Sequence, residues 1–344
     1  MLMERRYDID WLRVIAIGLL LIYHIGIAFQ PWGIMIAFIQ SDEPLSWLWT
    51  PMSLLNVWRI PFLFFVSGMG IAFALRKRNV KELLFERAKR ILLPFIFGFT
   101  CIVPIHWLIF QKYYEIPLTY SPNPGHLWFL GNLVTYIICL WPIFYLLKRE
   151  NMVSTVLKKA FASPLGLLIV IIAMIAEVMI VQPTVFEMYA LTLHGYILGG
   201  LAFLFGYCFI HAGEQFWNML IKWRFIFIAG AIGLYILRVM VYNLKSPEAL
   251  LSIESNLWVF SILAFGRLYL NKPSRVLSYL STGAYPIYIV HMIFLYLGSA
   301  LLFKTGLNTS MQLILVTVFT FIGCLGTYEI LRRIPGVKVL FGMN

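Results

Sequence analysis

Three ionisable side chains, Asp10, Arg13 and His24, sit in a stretch that otherwise reads as a membrane-spanning helix. The run WLRVIAIGLLLIYHIGIAF, Trp11 to Phe29, is long enough to cross a bilayer, and Arg13 and His24 are its only interior groups that are charged or titrate near neutral pH. The two are eleven residues apart, close to three helical turns. They therefore share one face, roughly 16 Å apart along the axis. Asp10, one turn before Arg13, falls near the same face. Ionisable groups inside a membrane are expensive, and the usual reason to keep one is a path, a partner or a reaction. Ordinary structural explanations stand beside this one. An acid near a helix N-terminus and an arginine snorkelling from a helix end are common, and His24 could be a hydrogen-bonded histidine between helices.

Further along, RIPFLFFVSGMGIAF places Arg59 in an apolar span, with Ser67, Gly68 and Gly70 toward its far half. The arginine is suited to an anion or to a structural carboxylate, and the small residues to close helix contact, as are Gly195 and Gly199. The stretch RKRNVKELLFERAKRILLPF is basic and amphipathic. Arg87 and Arg90 lie one turn apart and can converge on a phosphate, while Glu86 can pair with Arg90; topology and attraction to anionic lipid would also explain the charges. In SPNPGHLWFL a proline- and glycine-rich turn leads into His126 and Trp128 at a helix start, where aromatic belts are common. In YPIYIVHMIF, Tyr285, Tyr288 and His291 fall on or near one helical stripe, either as a hydrogen-bonded structural trio or as part of a site.

The elements that must position these residues follow from composition. Hydrophobic residues make up 61% of the chain and charged residues 12%, with a mean hydropathy of +0.85. These values predict an all-α, polytopic membrane helix bundle forming a single domain. About ten spans are expected: 11–29, 49–75, 91–110, 127–147, 164–181, 189–209, 225–242, 257–270, 285–303 and 313–331. The eighth is short unless it begins near Leu250, and Pro61 should kink or break the second. Alternate loops hold nearly all the lysines and arginines, while the opposite loops hold only Lys112, Lys245 and Lys304. The positive-inside rule then puts both termini in the cytoplasm. The same bias accounts for most of the net charge of +12, so nucleic acid is not an expected partner. Cys101, Cys139, Cys208 and Cys324 are scattered in apolar segments and suggest core residues, with neither a disulfide framework nor a metal site. No cleavable signal peptide is expected.

Taken together, Arg13 and His24 with ten residues between them, Arg59 ahead of FLFFVSG, Arg87 and Arg90 followed by Pro94, HLWFL, YPIYIVH and the closing YEILRRIPGVKVLF resemble the integral-membrane acyltransferase 3 family over essentially the whole chain. Within it, the members that succinylate periplasmic glucans are the most similar. The resemblance implies a multi-pass protein of the bacterial cytoplasmic membrane that moves an acyl group from cytoplasmic acyl-CoA, succinyl-CoA or acetyl-CoA, to a hydroxyl of an extracytoplasmic glycan. It implies no permanently bound cofactor; the lipid bilayer is its other partner, and a homodimer is left open. By the same carry-over His24 is the catalytic histidine, supported by Arg13, and Arg87 and Arg90 hold the CoA phosphates. The residues themselves add Asp10 beside Arg13, Ser67 as a candidate on the donor side, and Arg59, His126, Trp128, Tyr288 and His291 as candidates for the substrate path. A neutral imidazole suits removal of a proton from a sugar hydroxyl, and an acyl-histidine intermediate is the alternative. The soluble acyltransferase pattern of His followed five positions later by Asp is absent, since those positions hold Phe29, Gln111, Gly131, Gly199, Phe216 and Tyr296. Two other classes remain: a transporter or flippase, for which Glu177 is the one clear midspan acid and no inverted repeat is obvious, and a different membrane O-acyltransferase using His194 or His291.

Overall fold

A computed structural model describes residues 5–149 and 151–343. In chain order the α-helices are α1 (Tyr7–Ile27), α2 (Trp49–Lys77), α3 (Val80–Arg87), α4 (Leu93–Phe97), α5 (Val103–Tyr113), α6 (Trp128–Cys139), α7 (Trp141–Lys148), α8 (Met152–Phe161), α9 (Pro164–Val181), α10 (Leu193–Ala212), α11 (Glu214–Met240), α12 (Glu248–Tyr269), α13 (Arg275–Leu302), α14 (Thr309–Leu331) and α15 (Val337–Leu340). No strand occurs among the described residues. Among the described residues nine helical stretches are long and apolar enough to cross a membrane, or ten if α6 and α7, bent by 54°, count as one broken span. The protein is therefore an all-α multi-pass membrane bundle. Peripheral helices expose large apolar side chains such as Ile180, Met240 and Ile322, as a lipid solvent requires.

Several boundaries depart from expectation. The eighth span begins at Glu248, the seventh at Glu214, and the third runs from Lys81 to Tyr113 through two π-helical turns, Ala88–Leu92 and Gly98–Ile102. Pro61 does not break α2, which continues through it. A proline removes the donor that would serve the carbonyl four residues back; here that is Val57, and the Tyr189 hydroxyl donates to Val57 O at 3.1 Å. Pro104 similarly frees the carbonyl of Thr100, which accepts from the Tyr120 hydroxyl at 2.9 Å. The cysteine expectation holds for Cys208 and Cys324, which are buried. Cys101 and Cys139 are exposed, on helix faces whose apolar neighbours suit lipid.

The chain divides into two compact units. The first comprises Met1–Ala16, Ser53–Leu84 and Asn132–Leu277. Its centre is a close crossing of α2 and α10: a Cβ at Gly68 would collide with the backbone of Phe203, and one at Gly206 with that of Phe65. Gly195 and Gly199 also serve packing, against the Tyr189 backbone and against Phe64 and Tyr136. A buried charge cluster ties α11 to α12 and α2. Arg238 donates to both oxygens of Glu254, at 2.8 and 2.9 Å, and to Ser53 O at 3.2 Å. The second unit comprises Ile17–Met52, Phe85–Gly131 and Ser278–Asn344, and it holds the histidine cluster described next.

Candidate active site

His24 lies in the last turn of α1, and His291 is fully buried at midlength of α13. Their Nδ1 and Nε2 atoms are 2.8 Å apart, and the two rings stack with centroids 5.1 Å apart and planes 7° from parallel. On its other side, His291 Nδ1 lies 2.7 Å from the carbonyl oxygen of Tyr288. A carbonyl oxygen only accepts, so His291 Nδ1 carries the proton and, in the neutral ring, Nε2 carries the lone pair. His24 Nδ1–H then donates to it. The tautomer follows: the second nitrogen of His24, Nε2, is the basic one. A backbone carbonyl thus sets the protonation pattern of two imidazoles in series, which is the arrangement that orients a general base.

Two more histidines complete the cluster. His126 stands edge-on to His291 with centroids 4.9 Å apart, and His106 stands 5.5 Å from His126. His126 Nε2 lies 3.0 Å from Ile289 O and so is the protonated nitrogen. The Tyr288 hydroxyl donates to His126 O at 2.5 Å, pinning the start of α6 to α13. His126 Nδ1 and His106 Nδ1 are buried without a hydrogen-bond partner among the described residues. Tyr296 and Phe38 close the wall: the Tyr296 ring lies 5.0 Å from that of His106, and its hydroxyl donates to Ala37 O at 2.6 Å. Among the described residues no group of three or more His, Cys, Asp or Glu is arranged to hold a metal ion.

Arg87 and Arg90 belong to the same unit, at the entry to the third span. Both reach Glu86, at 3.1 and 3.0 Å, so the pairing expected for Arg90 extends to its neighbour. The π-helical turn starting at Ala88 precedes Pro94, whose missing N–H leaves Arg90 O without its helical donor. Gly342, at φ +69°, lets the C-terminal turn come up against that carbonyl and the Tyr285 ring; a Cβ there would lie 2.9 Å from Arg90 O and 2.5 Å from the ring. Tyr285, Tyr288 and His291 then climb α13 in two turns, about 9 Å. The expected stripe therefore connects the arginine end of the unit with the His24–His291 pair.

The remaining sequence-derived residues do not all join this cluster. Trp128 is buried at the first turn of α6, edge-on to Phe129. Asp10, Arg13, Arg59 and Ser67 fall in the other unit. Asp10 pairs with Arg5 at 3.0 Å and with Arg13 at 3.7 Å, an end-of-helix ion-pair group. Arg59 is buried in α2. Ser67 donates its hydroxyl to Leu63 O at 2.7 Å, within its own helix, which weakens it as a donor ligand. His194 is held at both ring nitrogens, by Glu177 at 3.0 Å and by Phe186 O at 3.0 Å, and is a poor general base. His106 and Tyr296 were not singled out by sequence; the one signal for His106 was a histidine well inside an apolar span.

A family model described as an acyltransferase domain, Acyl_transf_3, matches residues 6–329. No curated protein and no solved structure matches the chain. With an all-helical membrane bundle and a match that takes in the histidine cluster and the paired arginines, the chain belongs to the acyltransferase 3 family of membrane acyltransferases.

Proposed function

We propose that the protein transfers an acyl group from acyl-CoA, succinyl-CoA or acetyl-CoA, to a hydroxyl of an extracytoplasmic glycan, with His24 as the general base. The observation that supports this reading is the 2.8 Å contact between His24 Nδ1 and His291 Nε2, because it leaves the lone pair of His24 on Nε2. In the reaction the acceptor hydroxyl gives its proton to His24 Nε2 as its oxygen attacks the thioester carbonyl. The tetrahedral adduct collapses, the C–S bond breaks, and the imidazolium returns the proton to the departing thiolate. The same lone pair would serve an acyl-histidine route, in which the imidazole attacks first.

Arg87 and Arg90 are assigned to the donor phosphates. Guanidinium groups one turn apart suit a polyphosphate, and a long flexible thioester arm can follow the Tyr285–Tyr288–His291 stripe. His126 and Trp128 are assigned to the acceptor side. The concentration of basic residues in alternate loops supports a cytoplasmic side for both termini and the arginine pair, in the cytoplasmic membrane of a bacterium. The acceptor is a glucan and the acyl group a succinyl, on the resemblance to glucans biosynthesis protein C, a succinyltransferase of periplasmic glucans.

The test is reconstitution of the purified protein in vesicles with acetyl-CoA or succinyl-CoA, with and without a β-glucan, following free CoA and glucan-bound acyl groups. The expected result is glucan-dependent release of CoA, with succinyl-CoA the better donor. A folded protein that consumes neither thioester, or one that keeps its turnover after His24→Ala, would overturn the assignment.

A further inference from the structure

The first unit contains a basic cavity lined by none of the residues assigned to the transfer reaction. Its volume is about 210 Å³, and Arg76, Lys148, Lys158, His211 and Tyr207 line it together with two apolar residues of α2. Among the described residues no carboxylate lines it. Arg76, Lys148 and Lys158 facing one space make it attractive to an anion. The polar neighbours are placed by hydrogen bonds that hold the cavity open. Arg76 donates to Ile210 O at 2.7 Å, Tyr207 donates to Phe144 O at 3.3 Å, and His211 Nε2 meets Ser154 Oγ at 2.7 Å. Lys148 reaches Arg78 O only at 3.5 Å.

The position of α8 says what kind of anion. With ten residues it is about 15 Å long, too short to cross a bilayer, and it links two spans. Its outward face exposes Met152, Val153 and Val156, at 82%, 52% and 56%. Its other face buries Ser154 and Phe161, the latter against Phe209 and Phe216. A short helix capped by Asn151, apolar outward and carrying Lys158 and Lys159, is built to lie at the membrane interface. Lys158 turns from that helix into the cavity, so the cavity stands at headgroup depth. It is also smaller than the roughly 300–1,000 Å³ of sites that enclose a whole drug-sized ligand, which suits a headgroup phosphate better than an entire nucleotide.

We propose that this cavity binds the phosphate of an anionic phospholipid headgroup, with Arg76, Lys148 and Lys158 as its ligands, and that α8 anchors the lipid's glycerol region. The site is independent of the acyl-transfer assignment. It is tested on the purified full-length protein by titrating short-chain phosphatidylglycerol, short-chain phosphatidylcholine, inorganic phosphate and CoA, with the shift in Tm as the reading. Phosphatidylglycerol should stabilise the protein at concentrations where phosphatidylcholine does not. The double variant Lys148→Gln/Lys158→Gln should need about tenfold more of it, while Lys159→Gln, outside the cavity, should behave as the parent. Arg76 is left intact because it also holds α10. Equal shifts with both lipids, an unchanged titration in the folded double variant, or a response to inorganic phosphate or CoA but not to phosphatidylglycerol would each overturn the headgroup assignment.

Discussion

His24 Nδ1 and His291 Nε2 stand 2.8 Å apart across the second unit, and the proton between them belongs to His24 because Tyr288 O claims the proton of His291 Nδ1. On the proposed mechanism His24 is the base, so His24→Ala should lower turnover by about 10²–10⁴-fold in a protein that still folds. His291 acts through His24, so His291→Ala should lower kcat less and shift the pH–rate profile. The double variant should be no worse than His24→Ala alone, since residues acting as a unit are not additive. Steady-state kinetics of the three variants over a pH series decide the matter; additive losses would mean that His291 has a separate role.

The shared contacts of Arg87 and Arg90 with Glu86 hold the two guanidinium groups side by side. Charge-assisted hydrogen bonds to phosphate contribute about 1.5–3 kcal/mol each. Arg87→Gln/Arg90→Gln should therefore raise KM for the thioester strongly and leave kcat nearly unchanged. A normal KM with poor membrane insertion would assign both arginines to topology alone.

Arg59 is buried in an apolar span, and a guanidinium there favours an anionic group that needs a fork of donors in a low-dielectric site. Succinyl differs from acetyl by a terminal carboxylate. Arg59→Gln should thus lose activity selectively with succinyl-CoA. Equal loss with both thioesters points to the acceptor or to the fold, and no loss leaves Arg59 without a part in donor selection.

Arg238 and Glu254 form a fully buried pair. Arg238→Met leaves the Glu254 carboxylate buried and uncompensated, a change that costs about 3–5 kcal/mol. The variant should show a clearly lower Tm, and Arg238→Met/Glu254→Leu should recover much of it. A single variant as stable as the parent would contradict the clamp.

Tyr189 serves the carbonyl that Pro61 leaves without a donor. Tyr189→Phe should lower stability by about 1 kcal/mol, the net worth of one hydrogen bond. In a Pro61→Ala background the same substitution should matter less, because residue 61 then supplies its own N–H to Val57 O. A double-mutant cycle on Tm measures the coupling, and a zero value would show that the two residues are independent.

Much of this was legible in the chain. Apolar runs long enough to span a bilayer are local facts, so the helices and most of their ends could be read from hydropathy, and Pro164 to Val181 matches at both boundaries. The Glu86–Arg90 pair and the Tyr285–Tyr288–His291 stripe were readable for the same reason, since helical periodicity alone brings those side chains together. What the sequence could not settle are pairings between distant segments. His24 meets His291 across 267 positions and Tyr189 meets Val57 across 132, and no local rule chooses such partners. His106 and Tyr296 entered the cluster only when α5, α6 and α13 packed together. The sequence alone determined that an imidazole lies in the membrane. Tertiary structure decided which of its nitrogens holds the lone pair, because that depends on a carbonyl carried by another helix.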